Sequence, residues 1–99
     1  MARVRITRAA QKDLDEIWYY IAQDSPDNAT RFVDFLTSKF SPLADSPKIG
    51  RLREDLQPGL RFFPVKSYII YYRALGKSGV SILRVVNAAR DQGALFRKS

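Results

Sequence analysis

The 99-residue chain contains no cysteine and no histidine. Without cysteine, disulfides, thiolate nucleophiles and zinc–thiolate sites are excluded. Without histidine, the side chain that most often moves protons near neutral pH is missing, and so is the commonest metal ligand. Any catalysis has to run on Arg, Lys, Tyr, Ser or carboxylates, so a non-catalytic role starts ahead. Long apolar runs are also lacking: none approaches the roughly 20 residues of a membrane span. The N-terminal MARVRITRAA has no apolar core of the kind a signal peptide needs, and a cytoplasmic protein is expected. No Gly-rich phosphate loop, metal-ligand spacing or Ser–base arrangement appears, so neither metal nor cofactor is expected. Repeats, linkers and low-complexity tracts are absent too. With 45% hydrophobic residues, the chain reads as a single domain over residues 1–99.

Acidic residues are scarce in the second half. Residues 1–49 hold seven Lys/Arg and seven Asp/Glu, whereas residues 50–99 hold ten Lys/Arg against Glu54, Asp55 and Asp91. The whole net charge of +7 therefore lies in the second half. Such asymmetry in a small domain points to an anionic partner, either nucleic acid or an acidic protein.

The periodicity predicts an α+β domain in the order β-α-α-β-β-β. Arg3 to Ile6 is β-like, and Thr7 is placed to cap a helix from Arg8 to about Gln23 with the stripe Ala10, Leu14, Ile17, Trp18, Ile21. Ser25-Pro26 starts a second helix with the stripe Ala29, Phe32, Val33, Leu36, Phe40, Leu43. Pro42 either kinks it or begins a new turn capped by Ser41. Ser46 to Gly59 reads as a loop. Three strands follow, Leu60–Val65, Tyr68–Leu75 and Val80–Ala88, closed by Lys66-Ser67 and by Gly76-Lys77-Ser78-Gly79. The helical hairpin is expected on one face of a mainly antiparallel sheet.

Pairing Leu75 with Val80 sets the expected register of the last hairpin. Tyr72 then faces Leu83 and Ile70 faces Val85 on the helix side, with Tyr68 opposite Asn87. The other face carries Ile69, Tyr71, Arg73, Ile82, Arg84 and Val86, and is expected to be open. Arg and Tyr among aliphatic residues are the composition of a protein–protein anchor patch. Tyr19 and Phe35, set off the two helical stripes, are weaker candidates of the same kind. A tail ending in Leu95-Phe96 is expected to dock back on the sheet and cover part of the face.

Arg51, Arg53, Arg61, Lys66, Arg84 and Arg90 are expected to gather near one end of the sheet, with Tyr68, Tyr71 and Tyr72 among them. Charge plus rings suits single-stranded nucleic acid, and such a cluster can also stabilise a phosphorane. Asp13, Asp15 and Glu16 are assigned to the polar side of the first helix, and Glu54-Asp55 to ion pairs with neighbouring arginines.

The segments VRITRAAQKDLDEIWYYIA, SPKIG, GLRFFPVKSYIIYYR and VSILRVVNAARD together resemble ParE-type toxins of the RelE/ParE superfamily, in the right order and over nearly the whole chain. The resemblance implies the toxin of a type II toxin–antitoxin pair, in a hetero-oligomer with a ParD-like antitoxin whose acidic, helix-rich tail wraps the toxin. It also implies one of two activities. RelE-like members cut mRNA on the ribosome, with an Arg followed six residues later by a Tyr near the C-terminus. ParE-like members poison DNA gyrase and block replication. Here Arg90 is followed at that spacing by Phe96, which has no hydroxyl. The stretch Arg84-Val85-Val86-Asn87-Ala88-Ala89-Arg90-Asp91 follows the ParE pattern Arg-Val-x-His-Gly-Ala-Arg-Asp with Asn and Ala at the His and Gly positions. The ParE-like reading leads. A RelE-like endonuclease is the alternative, and a non-toxic basic nucleic-acid-binding module the second. The expected target-binding residues are Arg61, Arg84, Arg90, Leu95 and Phe96. The expected antitoxin-binding residues are Tyr19, Phe35, Ile69, Tyr71, Arg73, Ile82 and Arg84.

Overall fold

Thr7 ends the first strand and starts the first helix, and it ties both to the last strand. A computed structural model describes residues 2–76, 79–89 and 96. In it β1 spans Val4–Ile6 and α1 Arg8–Ala22. The Thr7 hydroxyl accepts from the Ala10 N–H at 3.1 Å, satisfying an orphan donor of the first helical turn. The same hydroxyl lies 2.9 and 3.1 Å from the carbonyls of Ile82 and Leu83, and the Thr7 N–H donates to Ile82 at 3.1 Å.

The Ser25 hydroxyl caps α2, Pro26–Thr37, by accepting from Asn28, with Pro26 at the start of the helix. The expected second helix then breaks at Ser38–Lys39, and α3 runs Phe40–Asp45. Pro42 sits in the first turn of α3, where its missing N–H is no loss, and Ser41 lies inside the helix rather than capping it.

The stretch expected as a loop holds more structure than its Pro and Gly content suggested. Pro47–Ile49 is a 3₁₀ turn and Arg51–Leu52 forms the short strand β2. Strands β3 (Arg61–Val65), β4 (Tyr68–Ala74) and β5 (Val80–Asn87) lie within a residue of the expected bounds. Among the described residues the sheet has five strands in the order β1-β5-β4-β3-β2. The β1–β5 pair is parallel and the other pairs are antiparallel.

A bulge corrects the expected register. Tyr68 through Tyr71 pair with Asn87 through Arg84 as expected. Tyr72 then pairs with Ile82, Arg73 with Ser81 and Ala74 with Val80, which leaves Leu83 as an extra residue. One inserted residue exchanges the faces of everything beyond it. Ile82, expected on the open face, is therefore fully buried beneath the helices with Val80, Tyr72 and Ile70. Leu83, expected beneath the helices, packs on the opposite side.

That opposite side is not open either. Tyr71, Leu60 and Val86 form a second buried cluster, packed by Leu56, Phe62, Ile69, Leu83 and Phe96. The Phe96 ring meets Tyr71 edge-on with centroids 4.8 Å apart. Burial raises the phenol pKa of Tyr71 above its ordinary value, and that of Tyr72 as well. The expected docking of Phe96 on the sheet is present.

Two measurements test this packing. Gly79 has φ 96°, and a Cβ there would overlap the Arg3 backbone where the Val80 N–H bonds the Arg3 carbonyl. Gly79→Ala is expected to cost at least about 2 kcal/mol in denaturant unfolding by breaking the β1–β5 edge. The raised tyrosines add no pH dependence of their own below roughly 9 and lower stability above roughly 10, because there the unfolded chain ionises them more readily than the folded one. Unfolding midpoints between pH 8 and 11.5 should fall less steeply in Tyr71→Phe than in the parent, by up to about 1.4 kcal/mol per pH unit. Parallel curves would contradict the burial of Tyr71.

Candidate functional site

β1 stops at Ile6, so the edge of β5 beyond Ile82 has no neighbouring strand on that side among the described residues. The chain covers the gap with side chains of α1. The Asp13 carboxylate accepts from the Val85 N–H at 2.9 Å, as a strand carbonyl would. It also accepts twice from Arg84, at 2.7 and 2.9 Å, in a two-point guanidinium–carboxylate pair. Asp13 is buried and Arg84 is half-buried. The hydrogen bond to Asp13 raises the pKa of Arg84 further above its ordinary value. Asp13 thus leaves the polar face assigned to it, and Arg84 is committed to α1. A shallow polar depression lined by Ala9, Lys12, Asp13, Glu16 and Arg84 marks the place.

The other basic candidates do not gather at one point. Arg61 opens β3 and Lys66 follows its end, so they lie at opposite ends of the strand. Arg61 donates to the Gly50 carbonyl at 2.7 Å. Arg53 pairs with Asp55 at 2.8 Å, as expected of this acidic pair, and lowers the Asp55 carboxyl pKa. Glu54 instead accepts from the Gly59 N–H at 3.2 Å. Arg73 binds the Gln57 side chain and the Pro58 carbonyl at 2.9 and 3.0 Å, which fastens the β2–β3 loop. Lys66 holds φ 56°, unusual for a residue with a Cβ, and its ammonium lies 5.4 Å from the Phe35 ring centre. Lys39 approaches the same ring at 4.6 Å.

Of the expected antitoxin-binding set, Tyr19 is exposed, Phe35, Ile69, Arg73 and Arg84 are half-buried, and Tyr71 and Ile82 are fully buried. Among the target-binding set, Arg61 and Phe96 are half-buried, while Arg90 and Leu95 lie outside the described residues. Tyr20, 77% exposed beside Tyr19, was not among the expected contacts, although it falls off the α1 stripe just as Tyr19 does. Ile49 and Leu52 are also exposed large apolar residues, hidden from sequence reading inside a segment taken for loop. Among the described residues no cluster of three carboxylates is placed to hold a metal ion, and no helix is long and apolar enough to cross a membrane.

Comparison with known proteins gives a consistent result. A family model described as "ParE toxin of type II toxin-antitoxin system, parDE" matches residues 4–92. Toxin ParE3 of Caulobacter vibrioides is 34% identical over 99 residues, covering 99% of this chain and 98% of that protein. Toxin ParE1 of Mycobacterium tuberculosis is 29% identical over 91 residues, covering 91% and 93%. A solved structure titled "Chromosomal ParDE TA system from P. aeruginosa" superposes with a TM-score of 0.73 at 28% identity, over 88% of this chain and 96% of that one.

The Asp13–Arg84 pair gives a sharp test of the site's framework. Arg84→Met strands a buried carboxylate and is expected to cost about 3 kcal/mol. Adding Asp13→Asn keeps an acceptor for the Val85 N–H and removes the unpaired charge, so the double variant should be more stable than Arg84→Met alone. Additive losses in denaturant unfolding would mean that the pair is not coupled.

Proposed function

This chain belongs to the ParE toxin family of type II toxin–antitoxin systems, and from that premise we propose that it binds and poisons DNA gyrase, blocking replication without catalysing a reaction itself. A ParD-like antitoxin, expected to be acidic, neutralises it in a hetero-oligomer. The observation that carries the non-catalytic reading is the packing of Phe96. RelE-like nucleases are expected to place a tyrosine at this spacing from Arg90, whereas here a ring without a hydroxyl packs against the buried Tyr71. The arginines support the same reading, since a ribonuclease needs several cations aimed at one phosphate. Arg84, Arg61, Arg73 and Arg53 are instead each held by a different part of the chain.

A binder of this kind needs a stable shape, a basic surface and a few exposed anchors. The net charge of +7 speeds encounter with acidic partners. Arg61, Arg90 and the tail at Leu95-Phe96 remain the residues proposed to meet the target. Arg84 contributes by fixing α1 to β5.

Expression without the antitoxin should give filamentous cells carrying gyrase-dependent DNA breaks, read by microscopy and by mapping break sites. Cleaved ribosome-bound mRNA with intact DNA would replace this reading by the RelE-like one. Growth unaffected at verified expression would favour the basic binding module.

A further inference from the structure

The turn at Pro47–Gly50 is held more firmly than a surface connection requires. The Tyr72 hydroxyl donates to the Pro47 carbonyl at 2.6 Å and accepts from the Gly50 N–H at 2.8 Å. Arg61 closes on the Gly50 carbonyl from the other side. A Cβ at Gly50 would overlap the Tyr72 hydroxyl, so the turn can come this close to the sheet only with glycine there. The fixed turn displays Ile49 at 51% exposure, and Leu52 on the adjoining strand is 49% exposed.

Ile49 stands between two depressions. One is a cavity of about 510 Å³ lined by Pro47, Lys48, Arg61 and Ala74 among others, within the size range of small-ligand pockets. The second, about 290 Å³, is lined by Arg51 and by Phe62, Phe63 and Pro64 of β3. The charged residues lining them are Lys48, Arg51 and Arg61, and no carboxylate lines either one among the described residues. β2 beside them is one of the two edge strands of the sheet among the described residues.

We propose that this surface docks an acidic segment of the antitoxin bearing aliphatic side chains. This rests on the toxin reading above and adds to it a site not among the residues expected from sequence. An aliphatic side chain of the partner fills the larger cavity against Ile49, and its flanking carboxylates pair with Lys48 and Arg51 and cover Arg61, so that the antitoxin masks a residue proposed to meet the target. Charge complementarity selects an anionic partner. The most exposed apolar side chains, Ile49 and Leu52, are aliphatic, and the rings of Phe62 and Phe63 along the smaller depression are half-buried, which suits a polypeptide better than stacked nucleic acid bases. Apolar burial adds binding that salt does not screen, as an inhibitor that must outlast competition with the target requires. Because the turn is already fixed, little ordering is lost on docking.

The test uses the full-length toxin with the protein encoded by the reading frame adjoining its gene, taken as the antitoxin. Affinity is measured by titration at low and high salt, and unfolding midpoints confirm the fold of each variant. Ile49→Asp should weaken binding by about tenfold or more at both salt concentrations. Lys48→Glu, at a solvent-exposed position, should weaken it mainly at low salt. Parent-like affinity in both variants overturns the proposal, and so does loss of toxicity with antitoxin binding unchanged, which would assign the surface to the target. If the unaltered toxin neither binds that protein nor arrests growth, the toxin reading itself fails and this proposal falls with it.

Discussion

A single carboxylate completes the exposed edge of β5. β5 needs partners along both edges, but β1 is only three residues long and leaves the second half of β5 uncovered. Asp13 supplies the missing acceptor to Val85 and holds Arg84 with the same group. Thr7, six residues earlier on the chain, occupies the carbonyls of Ile82 and Leu83. Between them these side chains dock α1 on the strand beside the bulge at Leu83. The bulge in turn decides which residues lie beneath the helices and which pack around Tyr71. An ion pair so placed contributes geometry more than net stability, since desolvating both charges costs much of what their attraction returns.

The local grammar of the fold was legible in the sequence. Thr7 and Ser25 cap their helices through hydroxyls, and Lys66-Ser67 closes the hairpin at Val65↔Tyr68. These features depend on neighbours in the chain, so periodicity and capping chemistry reveal them. The bulge does not depend on neighbours alone. It lies where β1 ends and α1 begins, more than 70 residues away in the chain, and one extra residue reversed the faces of Ile82 and Leu83. Asp13 was hidden for the same reason. Its place on the helix resembles a solvated position until β5 arrives to bury it. β2 escaped notice because two residues show no alternation.

Burial of Tyr71 and Ile82 removes two residues from the expected contact surface and gives the hydrophobic side chains on both sheet faces a structural explanation. What remains exposed among the described residues is narrower: Ile6 at the end of β1, Tyr19 and Tyr20 on α1, and Ile49 and Leu52 at the far edge of the sheet. The arginines divide in the same way. Those held by Asp13, Asp55 and Gln57 maintain the fold, while Arg61, which also fixes the Gly50 turn, and Arg51 line the two depressions beside Ile49 with Lys48 and can serve recognition. A basic half therefore does not translate directly into a basic binding site.

The central functional claim is that the folded chain acts on gyrase by binding. Purified toxin added to gyrase, ATP and relaxed plasmid tests it most directly. The account predicts inhibited supercoiling with accumulated double-strand cleavage complexes, reversed when the antitoxin is present in equimolar amount. Undisturbed supercoiling, together with cutting of ribosome-bound mRNA by the same preparation, would contradict it.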